Sequence, residues 1–128
     1  MDAPTTRPLR WAGSARDDLR EFPQAVRQIM GTALYFAQTG TKYSRAKPLK
    51  GIVKGAGVLE IVDDHDGDTY RTVYTVRFAE VVFVLHAFQK KATKGVKTPV
   101  HEIDLIRRRY EEARLAYEAE SGARRKQP

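Results

Sequence analysis

The sequence contains no cysteine, which excludes a disulfide framework, a thiolate metal site and a thiol nucleophile. It also has no run that approaches the roughly 20 apolar residues of a membrane-spanning helix. The first residues, MDAPTTRPLRW, lack the apolar stretch of a secretory signal. These absences predict a soluble, cytoplasmic protein whose chemistry depends on lysine, arginine, histidine, tyrosine or carboxylate side chains.

The length of 128 residues is typical of one domain with a single core between a sheet and a few helices. Two domains of half that length would each be too small for a core of their own. We therefore expect one domain over residues 1–128. Its ends, at about residues 1–7 and 119–128, are expected to be flexible.

Acidic residues are missing from two segments of the chain. Residues 41–59 hold five basic side chains and no acid, and residues 86–101 hold four lysines and no acid. The whole chain has 23 Lys and Arg against 16 Asp and Glu, a net charge of +7. Such a balance favours a polyanionic partner such as nucleic acid, although a charge run is often only a solvated loop.

Apolar spacing predicts helices at both ends of the chain. A short helix from about Ala15 to Phe22 and a second from Pro23 towards Gly40 form a hairpin with one buried stripe. The stripe consists of Phe22, Val26, Ile29, Ala33 and Phe36. A last helix begins near Thr98, and its apolar seam packs on the sheet or on another chain. The seam consists of Ile103, Ile106, Tyr110, Ala113 and Tyr117.

Alternating β-branched residues predict three strands in the middle of the chain, at 58–62, 69–76 and 80–88. Asp66-Gly67 is a hairpin turn signal between the first two, and residues 8–11 are a candidate edge strand. The predicted fold is therefore α+β, with an N-terminal helical hairpin, a twisted antiparallel sheet of three to four strands and a C-terminal helix.

The acidic turn DDHDGD was compared with a calcium-binding loop, in which ligands alternate and a glycine follows the third. Asp64, Asp66 and Asp68 fit the ligand spacing, but Thr69 stands where the glycine is required. The sequence therefore predicts a solvated turn and no metal site.

Both cationic segments enter or leave strands of the predicted sheet, so they are expected to face a common groove. A phosphodiester backbone fits such a groove, because lysine and arginine supply charge and tyrosine supplies a stacking surface for unpaired bases. No segment is typical of a DNA-recognition helix, so single-stranded RNA is favoured. The candidate RNA-binding residues are Tyr43, Lys47, Lys50, Lys54, Lys94 and Lys97.

Five short motifs occur in a defined order: PLK at 48–50, LEI at 59–61, YRTVY at 70–74, VLHAFQKK at 84–91 and KTP at 97–99. Together they resemble the HigB-like, phage-related branch of the RelE superfamily of toxins, over about residues 8–117. The resemblance implies a RelE-like fold and a ribosome-dependent mRNA endonuclease, the toxin of a type II toxin–antitoxin pair. It implies as partners a helix-turn-helix, HigA-like antitoxin, the ribosome and mRNA, with no membrane and no cofactor.

The chemistry that the resemblance implies is metal-independent. The ribose 2′-hydroxyl attacks the adjacent phosphate, which requires a base, a cation near the phosphate and an acid for the leaving oxygen. Arg71 matches the arginine of the family's YR motif and is the predicted transition-state cation. Clustered ammonium groups favour loss of a proton from one of them, so Lys90 and Lys91 are candidates for proton transfer. His86 is a further candidate acid or base, with a hydrogen-bonded structural histidine as the alternative.

Two details bear on this predicted site. Side chains alternate along a strand, so Arg71 points away from Tyr70 and Tyr74, which we expect to pack under the last helix. Relatives commonly have an arginine where this chain has Val62. Either Lys50 or Lys54 compensates for that missing cation, or the activity is weaker.

Two other functions remain open from the residues alone. One is a basic RNA- or ribosome-binding module that does not cleave RNA. The other is a protein-interaction domain whose cationic loops meet an acidic partner.

Overall fold

The computed structural model describes residues 6–90 and 98–126, with side chains up to residue 122. These ranges contain five strands and three helices. In chain order they are β1 (Leu9–Trp11), α1 (Ala15–Arg20), α2 (Gln24–Gln38), β2 (Ala46–Pro48), β3 (Val58–His65), β4 (Asp68–Thr75), β5 (Val82–Lys90) and α3 (Val100–Lys126). Among the described residues, no helix is long and apolar enough to cross a membrane.

The strands form one sheet in the order β1-β5-β4-β3-β2. β1 is parallel to β5, and every other neighbouring pair is antiparallel. The predicted α+β architecture is confirmed, but the sheet has five strands instead of three to four. The strand that the sequence did not predict is β2, because three residues that include Lys47 and Pro48 show no alternating pattern.

The sheet separates two apolar clusters. The α1/α2 core packs the helical hairpin on one side, and the α3 core packs the last helix on the other. The α1/α2 core includes Phe22, Val26, Met30, Leu34, Ile61, Tyr70, Tyr74 and Val84. The α3 core includes Val58, Val73, Phe83, Leu85, Ile106, Tyr110 and Ala113. Four of the five predicted seam residues of the last helix, Ile106, Tyr110, Ala113 and Tyr117, therefore pack on the sheet of their own chain, and Ile103 is only partly buried.

The expectation that Tyr70 and Tyr74 pack under the last helix is wrong. Both tyrosines belong to the α1/α2 core, where the Tyr70 ring meets Phe22 edge to face at a centroid distance of 4.9 Å. Arg71, between them in β4, consequently lies on the α3 side of the sheet. Alternation predicts that neighbours point apart, but it does not tell which helix covers which side.

The buried stripe of α2 also differs from the prediction at one end. Val26 and Ala33 are buried as expected, whereas Phe36 is 37% exposed. Leu34 and Ala37 are buried near that end instead, because the sheet is approached from a slightly rotated side of the helix.

A β-bulge in β5 changes the side on which residues point. Val73 pairs with His86 but the next residue, Tyr74, pairs with Val84, so Leu85 is the extra residue. Leu85 packs in the α3 core and His86 contacts α3, which places two consecutive side chains on the same side of the sheet. Without the bulge, His86 would face the α1/α2 core.

The β3–β4 hairpin has the predicted two-residue turn. His65 pairs with Asp68, and Asp66 and Gly67 have φ angles of 50° and 83°, as a type I′ turn requires.

The turn provides a test that uses two glycines in contrasting backbone conformations. Replacement of Gly67 by alanine should lower the free energy of unfolding by about 1–2 kcal/mol, because a Cβ is strained at positive φ. Gly31 lies in α2 with open space around it, so Gly31→Ala should raise the free energy of unfolding by about 0.5–1 kcal/mol. Urea unfolding of both variants measures these changes; equal effects would contradict the assigned turn geometry.

Candidate functional site

Arg71 lies in the middle of β4 on the α3 side of the sheet. Its strand neighbours on that side are Val62 in β3 and Phe88 in β5. The residue is 2% exposed, and its Nη1 lies 3.1 Å from Oε2 of Glu60 in an ion pair. The guanidinium predicted to meet a phosphate is therefore held in the sheet by a carboxylate one strand away.

Glu60 brings further groups to the same side of the sheet. It pairs with Lys47 of β2, and opposed residues of neighbouring strands point to the same side, so Lys47 lies beside the ion pair. On the other side of the pair, Oγ1 of Thr98 donates to Oε2 of Glu60 at 3.5 Å. Glu60 thus contacts both β4 and the residues that lead into α3.

Lys90 ends β5 and pairs with Thr69, two residues from the Phe88–Arg71 pair. Its side chain is therefore on the α3 side, as Arg71 is. Lys90 and Thr98 are the described residues on either side of segment 91–97, and both lie on this side of the sheet. The other predicted lysines of this segment, Lys91, Lys94 and Lys97, lie outside the described residues.

His86 is buried, and both of its ring nitrogens have partners on α3. Its Nδ1 lies 3.2 Å from Nη1 of Arg109, and its Nε2 contacts a carboxylate oxygen of Glu102. Because a guanidinium can only donate, Nδ1 is the acceptor and Nε2 carries the proton that goes to Glu102. Burial lowers the pKa of His86, and the hydrogen bond to Glu102 opposes this shift only in part. The imidazole is therefore neutral, and its contacts favour the structural alternative.

Arg109 connects α3 to two other elements. Its Nη1 also donates to the carbonyl oxygen of Leu85 at 3.0 Å, and its Nη2 donates to Oγ of Ser14 at 3.2 Å. The Cβ of any residue larger than glycine at position 13 would lie within 2.8 Å of the Arg109 guanidinium. The start of α1, the bulge of β5 and α3 therefore meet at this side chain.

The remaining predicted RNA-binding residues do not all join Arg71. Tyr43 packs edge to face on Phe36, at a centroid distance of 5.5 Å, and lies against the α1/α2 core. It is therefore on the other side of the sheet from Arg71. Lys50 and Lys54 are exposed in the loop between β2 and β3.

Three residues of this region were not given a role by the sequence: Glu60, Glu102 and Arg109. Glu60 is a charged residue among the apolar residues of β3. A charge at such a position indicates that a partner of opposite charge is buried beside it. Glu102 and Arg109 carry no comparable signal, because their partner His86 is distant in sequence and faces them only through the bulge. No group of three or more His, Asp or Glu side chains is placed to hold a metal ion in the described ranges.

The family model "Phage derived protein Gp49-like (DUF891)" matches residues 17–111, which include Arg71, His86 and Lys90. The chain belongs to the phage-derived Gp49-like family. This is a family of RelE/HigB-type toxins, so the resemblance carried by the sequence motifs is confirmed. A comparison with curated proteins found no match.

Two solved structures are similar to this Gp49-like chain. A mutant of the Escherichia coli toxin RelE in the free state has 23% sequence identity and a TM-score of 0.50, with 68% of this chain and 84% of RelE covered. The RelBE2 toxin–antitoxin complex from Mycobacterium tuberculosis has 20% identity and a TM-score of 0.44, with 73% of this chain and 100% of the matched chain covered. The likeness to RelE shows that the Gp49-like chain has the RelE fold.

The neutral state of His86 predicts a pH dependence of stability. Its pKa in the folded protein is below the ordinary value, so protons bind more readily to the unfolded chain below about pH 6.5. The stability from the neutral imidazole is complete above that pH and is lost as the pH falls. The free energy of unfolding of the parent should therefore decrease between about pH 7.5 and pH 5.5 more steeply than that of His86→Gln.

The free energies of unfolding of the parent and of His86→Gln are measured by urea titration at a series of pH values in this range. If His86→Gln has the same slope as the parent, the assigned protonation state is wrong.

Proposed function

We propose that this protein is the toxin of a type II toxin–antitoxin pair and that it cleaves mRNA on the ribosome without a metal ion. The proposal gives a specific activity to a member of a RelE/HigB-type toxin family. Such a reaction takes place in the cytoplasm, where translation occurs.

The observation that carries the proposal is that cations from three strands share one side of the sheet. Lys47 of β2, Arg71 of β4 and Lys90 of β5 all point to the α3 side by their register. Thr98 also lies on this side, where it donates to Glu60. Cations spread over one side of the sheet match the repeated charge of an RNA backbone.

In the proposed reaction the ribose 2′-oxygen forms a bond to the adjacent phosphorus, and the bond from phosphorus to the 5′-oxygen breaks. The products are a 2′,3′-cyclic phosphate and a 5′-hydroxyl. Arg71 stabilises the charge that develops on the phosphate, and Glu60 fixes the orientation of its guanidinium. Lys90 and Lys91 remain the candidates for proton transfer. Because both nitrogens of His86 are engaged with α3, we assign His86 to the support of β5.

The register also suggests which cation compensates for Val62. Val62 lies beside Arg71, and Lys47 stands opposite Glu60 one strand further along. Arg45 is close in sequence, but its Nη2 donates to the Val62 carbonyl at 3.0 Å and to Oδ1 of the buried Asp63 at 2.9 Å. We therefore favour Lys47 over Lys50 and Lys54 for this role.

The antitoxin is the proposed protein partner, as the family membership implies. The net charge of +7 favours an acidic antitoxin segment. A helix-turn-helix antitoxin of the HigA type remains the specific form of this proposal.

The second candidate is a module that binds RNA or the ribosome without cleavage. The near-complete burial of Arg71 against Glu60 favours this alternative, because a catalytic cation must reach the phosphate. Both candidates use the same cationic side, and only an assay of cleavage separates them.

Arg71→Met tests the proposed role while it keeps much of the side-chain volume. The variant should cleave ribosome-bound mRNA at least about 100-fold more slowly than the parent, because a preorganised charge opposite the reacting phosphate is lost. Arg16 is exposed on α1, so Arg16→Ala removes the same charge elsewhere and should cleave at the parental rate. Primer extension on the mRNA measures the rates, and circular dichroism checks that each variant is folded.

Parental activity in a folded Arg71→Met protein would rule out this residue as the transition-state cation. Binding of programmed ribosomes by the parent without any cleavage would instead support the second candidate.

A further inference from the structure

The loop of residues 49–57, here the basic loop, contains Lys50 and Lys54 and has no helix or strand. Its three glycines have positive φ angles: 90° at Gly51, 89° at Gly55 and 108° at Gly57. A glycine-rich segment loses much backbone entropy when it is ordered. Lysines on such a loop bind a phosphate chain well only if something else fixes the loop first.

Arg77, which follows β4, fixes one end of the basic loop. Its Nη1 donates to the carbonyl oxygen of Ala56 at 2.5 Å, and its Nε donates to the Tyr110 hydroxyl of α3 at 2.9 Å. A Cβ at Gly57 would overlap Cγ of Arg77. The glycine therefore permits the close approach of the arginine to the loop.

Arg107, on α3, fixes the other end. Its Nε donates to the carbonyl oxygen of Gly51 at 2.7 Å, directly after Lys50. Its Nη1 lies 3.4 Å from Oδ1 of Asp104, which holds the guanidinium on the helix surface. Two cations thus bind loop carbonyls and add positive charge beside the loop lysines.

The adjacent Arg108 has a different environment. It is exposed, and it makes no hydrogen bond or ion pair to the residues that the structure describes. Arg107 and Arg108 therefore carry the same charge on the same turn of α3, but only Arg107 holds the basic loop.

We propose that Arg107 and Arg77 are positioning residues that preorganise Lys50 and Lys54 for the RNA backbone. This inference rests on the proposed function, because it requires that the cationic side binds RNA. The two arginines act through the loop: they bind its carbonyl oxygens, and the lysines bind the phosphates.

Arg107→Ala is the more direct test, because the Arg107 side chain is 52% exposed and is not part of the α3 core. The affinity of the Arg107→Ala variant for ribosomes programmed with a short mRNA should be about tenfold lower than that of the parent, because a loop that is not held in place must be ordered on binding. Arg108→Ala loses the same charge and should bind about twofold more weakly. Arg107→Lys, which keeps one donor for the Gly51 carbonyl, should recover part of the loss.

Two further measurements distinguish positioning from direct contact. In a Lys50→Ala/Lys54→Ala background, Arg107→Ala should have no further effect on affinity, because the groups through which it acts are gone. In the free protein, amide hydrogens of residues 50–55 should exchange faster in Arg107→Ala than in the parent or in Arg108→Ala.

The inference is overturned if Arg107→Ala and Arg108→Ala bind equally well, or if loop exchange is the same in both. It is also overturned if the effect of Arg107→Ala persists without the two lysines, since Arg107 would then contact RNA itself. If the parent does not bind programmed ribosomes at all, the proposed function fails together with this inference.

Discussion

The hydrogen bonds of Arg109 to the bulge of β5 are the interaction on which the rest of the site depends. They join the carbonyl oxygen of Leu85 and Nδ1 of His86 to α3, and Ser14 adds the start of α1. In the first turn of α3, Glu102 contacts His86, and just before the helix Thr98 donates to Glu60. Glu60 binds both Thr98, which leads into α3, and Arg71. The position of α3 therefore affects the surroundings of Arg71.

This arrangement explains how a basic chain keeps a buried arginine in its sheet. A buried guanidinium is tolerated when a carboxylate is close, and Glu60 supplies it. The ion pair in turn holds Arg71 between Lys47 of β2 and Lys90 of β5 on the α3 side of the sheet. Structure and proposed function thus depend on the same carboxylate, which orients the cation and limits how far it can move towards a phosphate.

The long periodic elements were predictable from the sequence, but which helix covers which face of the sheet was not. The apolar seam of α3 extends over several turns, and the Asp66-Gly67 turn has a specific backbone requirement, so both were predicted correctly. The tyrosines beside Arg71 were assigned to the wrong helix, since alternation is silent about which face each helix covers. The contacts of His86 depend on an extra residue in β5, and a bulge has no signature in this apolar run.

Lys47 and Glu60 illustrate the same limit for the candidate site. The sequence indicated a cationic segment, but only the pairing of β2 with β3 places Lys47 opposite Glu60 on the side of Arg71. Tyr43 lies in the same cationic segment and faces the other core. The most direct test of the account uses ribosomes programmed with an mRNA that has a single 2′-deoxynucleotide at the mapped cleavage position. The all-ribose mRNA should be cut to a 2′,3′-cyclic phosphate and the deoxy mRNA should stay intact there; equal cleavage of both, or none of either, would contradict the account.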